Sequence, residues 1–214
     1  MGKFIRFVGG PPGTGKSSYS KGIVQEVQKF AEMPVCILDG DMFYSPMRRI
    51  LDSERSGIPL DTPEFAREFN LPAQLKFQRI IRSVADQRLL VIATAPFENM
   101  YGEVLGQPLW SKMKTQDFSD YDIGLSYVLL TGDEQKVENE IKRRLLGRGI
   151  HSRDVYQAKL DEPKIADPAY YSKRAALVRK SVETFGFPLV EAAIDEDPQS
   201  VSIRIAKKIV DSLG

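Results

Sequence analysis

The run Gly10-Pro11-Pro12-Gly13-Thr14-Gly15-Lys16-Ser17 constrains this chain more than any other stretch. The apolar segment Phe4-Ile5-Arg6-Phe7-Val8 precedes it, and an amphipathic segment begins near Ser18. The order is therefore strand, glycine-rich loop, helix, with the G-x-x-x-x-G-K-[ST] spacing of a phosphate-binding loop. Gly10, Gly13 and Gly15 let the backbone bend until several N–H groups converge on one point, which phosphate oxygens can fill. The helix adds unpaired N–H groups and the positive end of its dipole around Thr14, Lys16, Ser17 and Ser18. Lys16 can place a point charge on the β- and γ-phosphates, and the Ser17 hydroxyl can ligate Mg²⁺. The expected cosubstrate is ATP with Mg²⁺.

Beyond that motif, apolar runs alternate with helical patterns along the whole chain. Residues 16–31 carry Ile23, Val27 and Phe30 at helical spacing, and 35–39 form a short buried strand closing on Asp39-Gly40-Asp41. Ser45 to Pro63 is polar, proline-rich and weakly periodic. Residues 71–87, with Leu71, Leu75, Ile80, Ile81 and Val84, read as a helix leading into the strand 89–93. A helix over 99–115 and a strand over 123–131 follow. The helix 133–146 has Asp133 and Glu134 at its start and Lys142, Arg143 and Arg144 at its end, as the macrodipole favours. A charged loop, 147–168, then precedes a helix over 169–184, a strand over 187–190, and a final helix begun by Asp197-Pro198. Strands separated by helices predict a three-layer α/β fold of the P-loop NTPase type. Its sheet would have five parallel strands, with helices on both faces and a short arginine-rich lid.

With 214 residues the chain can bury a full core as one kinase-sized domain, with an acceptor-binding region at about 42–70 and a lid at about 143–168. Thirty Lys and Arg balance 29 Asp and Glu, so no global charge favours a nucleic-acid or membrane surface. The single cysteine, Cys36, fits a reducing compartment and reads as an inert thiol in an apolar run. No apolar run approaches the roughly 20 residues of a membrane helix, and a strand so close to Met1 leaves no room for a signal peptide. The expectation is a cytoplasmic protein.

In a parallel α/β sheet, ligands gather at the carboxyl ends of the strands. That rule nominates Asp39-Gly40-Asp41 and Thr94-Ala95-Pro96. Carboxylates beside a triphosphate imply a cation, a general base, or both. Asp41-Met42-Phe43-Tyr44 resembles the D-x-F-Y run of the uridine kinase and phosphoribulokinase group, and Asp61-Thr62-Pro63-Glu64-Phe65 a loose form of that group's D-H-P-x-A-F segment. The acidic turn is also similar to that of adenylylsulfate kinases and of toxin-type sugar-nucleotide kinases. The resemblance implies Asp41 as general base toward an acceptor hydroxyl, Phe43 and Tyr44 as pocket walls, and Asp39 as a support for Mg²⁺ or the acceptor. The chain departs from uridine kinases at Thr94-Ala95-Pro96-Phe97, where that group has an acidic residue; Glu98 lies a few residues on.

Lys142-Arg143-Arg144-Leu145-Leu146-Gly147-Arg148-Gly149, with Arg153-Asp154 beyond, resembles the lid of nucleotide and nucleoside kinases. Guanidinium groups closing over a transferring phosphoryl group stabilise its spreading charge, which nominates Arg144, Arg148 and Arg153. Gly147 and Gly149 would provide a hinge. Arg48 and Arg49 follow the acidic turn and could hold an anionic group of the acceptor. His151 has no second ligand nearby in sequence, and Trp110, Phe65, Phe69, Phe77 and Phe97 read as packing residues. The leading expectation is an ATP-dependent kinase transferring the γ-phosphate to a hydroxyl of a small molecule, with a nucleoside or sugar foremost. The alternatives are a polynucleotide or DNA-base hydroxyl kinase, a nucleoside monophosphate kinase, and a non-catalytic nucleotide-dependent switch.

Overall fold

A computed structural model describes residues 3–40, 44–60, 62–94, 112–152 and 155–213, with the helical backbone alone for 148–152. Among the described residues the strands are β1 (Phe4–Gly9), β2 (Val35–Asp39), β3 (Leu90–Thr94), β4 (Asp122–Thr131) and β5 (Leu189–Ala193). They form one sheet in the order β2-β3-β1-β4-β5, every pairing parallel. Parallel neighbours need long crossovers, and the helical segments between the apolar runs supply them. The helices are α1 (Lys16–Gln28), α2 (Pro46–Ser56), α3 (Pro63–Phe65), α4 (Leu71–Ala85), α5 (Glu134–Ser152), α6 (Val155–Ala166), α7 (Tyr170–Phe185) and α8 (Pro198–Asp211). A π-helical turn, Ala66–Asn70, joins α3 to α4.

The inner strands are buried on both faces, with Ile5, Phe7, Val8, Leu90, Val91 and Ile92 in one core with Ile23, Val27, Ile141 and Ile205. Helices α1 and α8 pack on each other and on the sheet, while α4, α5 and α7 pack against β1, β3 and β4. Arg6 is the polar exception in β1. Its buried guanidinium bonds the Asp122 and Ser212 carbonyls at 2.8 and 2.7 Å and the Asp122 carboxylate at 3.0 Å, tying the end of α8 to the sheet's amino edge.

Several local readings change. Helix α1 closes at Gln28 in a turn, so Phe30 falls out of the helical period and is 69% exposed instead of facing the core. In α4 the inward face is Phe77, Gln78, Ile81 and Ala85, leaving Ile80 partly in solvent. The weakly periodic stretch Ser45 to Pro63 contains α2. Ser45 accepts from the Arg48 N–H at 3.3 Å, Pro46 occupies the first turn, and Gly57 closes the helix with φ 72°. The expected loop 147–168 is mostly helical, since α5 runs through Gly147 and Gly149 to Ser152 and α6 follows. Two glycines cost roughly 2 kcal/mol of helix propensity against alanine. Burial of Leu145 and Leu160 and the buried Asp161–Lys164 pair at 2.6 Å offset that cost. Cys36 is half-buried, because β2 lies at the sheet edge.

Candidate active site

Three strands end together at the carboxyl edge. Val8 and Asp39 both register with Thr94, which places the phosphate-loop entrance, the β2 carboxylate and the end of β3 side by side. The loop leaves β1 through Gly10 at φ +145°, and a Cβ there would lie 2.4 Å from the Val128 carbonyl oxygen on the neighbouring strand. Gly15 caps α1 at φ +93°, where an added Cβ would lie 2.9 Å from the Tyr19 ring. No side chain caps α1 and no acidic residue occupies its first turn, so the first N–H groups are left for an acceptor from outside the helix. Buried Thr14 pins the loop by donating to the Pro11 carbonyl at 2.9 Å. Lys16 Nζ folds over the same loop, donating to the Gly10 and Pro11 carbonyls at 2.5 and 2.9 Å. Such a cradle of N–H groups with a lysine across it suits phosphate oxygens.

Ser17 Oγ donates to Asp39 Oδ2 at 3.0 Å, joining the phosphate loop to the acidic turn. Thr94 Oγ1, beside Asp39 in register, is buried and has no hydrogen-bond partner among the described residues. Hydroxyl and carboxylate oxygens next to a phosphate cradle are the hard donors Mg²⁺ takes, with water and phosphate completing its shell. Among the described residues no group of three or more His, Cys, Asp or Glu could enclose a metal, so any Mg²⁺ would depend on such non-protein ligands.

A cavity of about 560 Å³ opens over these groups. Pro12, Gly13 and the residues from Gly15 to Tyr19 line it with Asp39 and Thr94, joined by Glu196 and Pro198 after β5. Arg143, Arg144 and Gly147 of α5 also line it, as do Tyr44, Arg49 of α2 and Gln157, Leu160 and Lys164 of α6, the last two helices being in contact. Ser18 lies on the cavity wall and is exposed.

Arg144 spans three parts of the site. It bonds Glu140 at 2.8 Å, the Gly13 carbonyl at 3.2 Å and the Ile194 carbonyl at 3.3 Å. Arg143 takes the other side of Glu140 at 2.7 Å. Hydrogen bonds from Arg143 first, and then from Arg144, hold the Glu140 carboxyl down at about 2. On α2, neighbouring arginines diverge. Arg48 turns to Asp52 at 2.9 Å and is largely exposed, whereas Arg49 lines the cavity with a buried, unpartnered Nε. Tyr44 donates to the same Asp52 at 3.3 Å. Burial first, then Asp52, pushes its phenol up to about 12, so it stays a neutral hydroxyl.

Lys16, Ser17, Asp39, Tyr44, Arg49 and Arg144 are thus brought to one cavity, and Arg48 is not among its walls. Asp41, Phe43 and Arg153, with Phe97, Glu98 and Trp110, lie outside the described residues, as do the side chains of Arg148 and His151. The continuous α5 puts positions 144 and 148 one turn apart. Buried Phe65 and Phe77 pack as expected, with Phe69 stacked 4.9 Å from Phe65. Gln157, Leu160 and Lys164 were missed because their segment read as a loop. Their i, i+3, i+7 spacing is the helical signal that would have grouped them.

No protein-family model matches the chain, and no curated protein matches its sequence. Solved structures do. A protein of Chloroflexus aurantiacus J-10-fl described as a "putative kinase" superposes with a TM-score of 0.52 at 15% identity, over 95% of this chain and 97% of its own. The Mycobacterium tuberculosis APS kinase CysC, in complex with AMPPNP and APS, gives 0.50 at 13% identity, over 98% and 96%. The phosphate loop, the strand order and these superpositions together give the chain the fold of P-loop kinases.

Proposed function

We propose that the protein is an ATP-dependent kinase that transfers the γ-phosphate to a hydroxyl of a small molecule. The observation that carries this reading is the 3.0 Å bond between Ser17 and Asp39, which puts the acidic turn beside the phosphate cradle. The fold shared with CysC, itself solved with an ATP analogue and APS, supports it. Arg143, Arg144 and Asp39 lining one cavity with the phosphate loop favour phosphoryl transfer over nucleotide holding alone.

Lys16 and the first-turn N–H groups of α1 bind the β- and γ-phosphates, and Ser17 and Asp39 hold Mg²⁺. The ion neutralises phosphate charge when bound. Asp41, two residues beyond Asp39, accepts the proton of the acceptor hydroxyl. The acceptor oxygen bonds to the γ-phosphorus as the bond from that phosphorus to the β–γ bridging oxygen breaks, and ADP leaves. Arg144, with Arg148 and Arg153, offsets charge spreading over the equatorial oxygens. Tyr44 and Arg49 line the acceptor side, and Phe43 joins them in this reading.

Incubation with γ-labelled ATP and pooled nucleosides, sugars, amino alcohols and DNA 5′ ends tests the reading. Label should pass to a small-molecule hydroxyl, with ATP consumption rising at least tenfold when that compound is present. Acceptor-independent hydrolysis would mark a nucleotide switch, and label on DNA ends alone a polynucleotide kinase.

A further inference from the structure

We infer that the acceptor is an anion whose phosphate, sulfate or carboxylate group docks on Arg49 while its hydroxyl faces the phosphate loop. The inference rests on the kinase reading above and adds the class of acceptor.

Among the described residues, the charges facing the cavity are unevenly matched. Lys16, Arg49, Arg143, Arg144 and Lys164 face Asp39 and Glu196. Glu196 is committed to Arg204, and Asp39 accepts from Ser17. Arg143 and Arg144 share Glu140, and Lys164 is held by buried Asp161. Lys16 and the α5 arginines stand beside the phosphate loop, where the nucleotide's own charge meets them. Arg49 has no such counterpart. Among the described residues it makes no ion pair, although Asp52 lies one turn away on α2, because that carboxylate takes Arg48 and Tyr44. Its Nε is buried and unpartnered, and the residue lines the cavity with Gln157 and Lys164 of α6, the helix in contact with α2.

An arginine that lines a cavity without a carboxylate partner among the described residues keeps its charge available to an anion. The planar fork fits an oxyanion, taking two of its oxygens at once. Lys164, paired with Asp161 at 2.6 Å, lines the same cavity, and Gln157, also bonded to Asp161, adds an amide. A neutral acceptor would leave the Arg49 charge without a partner among the described residues, and a site built for a polar group discriminates strongly against analogues lacking it.

The test uses protein saturated with Mg²⁺ and AMPPNP, so that the phosphate-loop anion site is filled. Phosphate, sulfate and acetate are then titrated separately by calorimetry, the tightest identifying the group. Saturable binding is expected, weakened at least tenfold in Arg49→Gln, partly restored in Arg49→Lys, and unchanged within twofold in Arg55→Gln, an exposed position on the same helix. Circular dichroism checks that each variant is folded. In parallel, γ-labelled ATP is offered to pooled sugars and nucleosides and to their phosphorylated, sulfated and carboxylated derivatives. Label should enter the anionic pool, with KM raised at least tenfold and kcat within threefold in Arg49→Gln. Absence of second-site binding in AMPPNP-loaded protein, equal binding in Arg49→Gln, or label confined to the neutral pool overturns the inference and leaves the kinase reading standing. Failure of AMPPNP to bind, or of any pool to be labelled, overturns the kinase reading instead, and the anion titration, run without AMPPNP if need be, still decides Arg49.

Discussion

Replacing Arg144 with alanine separates a structural brace from a catalytic group. Its three contacts are a 2.8 Å bond to Glu140 and bonds of 3.2 and 3.3 Å to the Gly13 and Ile194 carbonyls. The side chain is 27% exposed, so the helix ion pair is worth about 0.4 kcal/mol and each longer bond about 0.5 kcal/mol. The expected stability loss is about 1.5 kcal/mol, or a Tm lower by about 3–6 °C in a chain of this size. Catalysis should suffer far more. Arginines placed on a transferring phosphoryl group contribute roughly 10³–10⁵ in rate. With Arg143 still beside the cavity, we expect kcat to fall about 10²–10³-fold, equivalent to about 3–4 kcal/mol of barrier. The assay is labelled phosphate transfer at a temperature where calorimetry shows both proteins fully folded, with AMPPNP affinity measured alongside. A kcat within threefold of the parent, together with the predicted Tm loss, would refute the catalytic role and leave Arg144 a brace between α5 and the loop.

Other outcomes follow from the same geometry. Gly10→Ala sets a Cβ 2.4 Å from the Val128 carbonyl at φ +145°, so we expect a loss of about 3 kcal/mol or more and abolished nucleotide binding; a normal melting curve would contradict it. Asp39→Asn should raise the Mg²⁺ concentration needed for half-maximal transfer about tenfold at fixed ATP, and an unchanged Mg²⁺ titration would remove Asp39 from the metal site. The Glu140 carboxyl is lowered from 4.5 to about 2, so the unfolded chain binds its proton first on acidification. Its stabilising contribution is complete above about pH 4.5 and is lost as pH falls toward 2. Across that window Tm should therefore drop more steeply in the parent than in Glu140→Gln, and parallel curves would refute the assignment.

The parallel sheet and the phosphate loop were legible because their signals are local. A buried strand announces itself as an apolar run, and the loop as glycines and a lysine at fixed spacing. Asp39 at the end of β2 was legible for the same reason, and its contact with Ser17 follows from ordinary strand-end geometry. The roof of the cavity was not. Gly147, Gly149 and Pro163 are breakers by propensity, yet α5 and α6 run through them, since burial of Leu145, Leu160 and the Asp161–Lys164 pair decides the conformation. A long-range balance of that kind leaves no mark on any one short window. Helix α2 lies between these cases. Its caps at Ser45, Pro46 and Gly57 were readable, but Ile50 is the only hydrophobic residue of that helix that is buried, too little for a periodic pattern. The divergence of Arg48 and Arg49 depends on where Asp52 sits in space.

The claim that the phosphate loop and the acidic turn serve one reaction is tested most directly with Asp41→Asn. AMPPNP affinity should stay within threefold of the parent while acceptor-dependent phosphate transfer falls at least a hundredfold. Transfer at the parental rate in that variant would contradict the account.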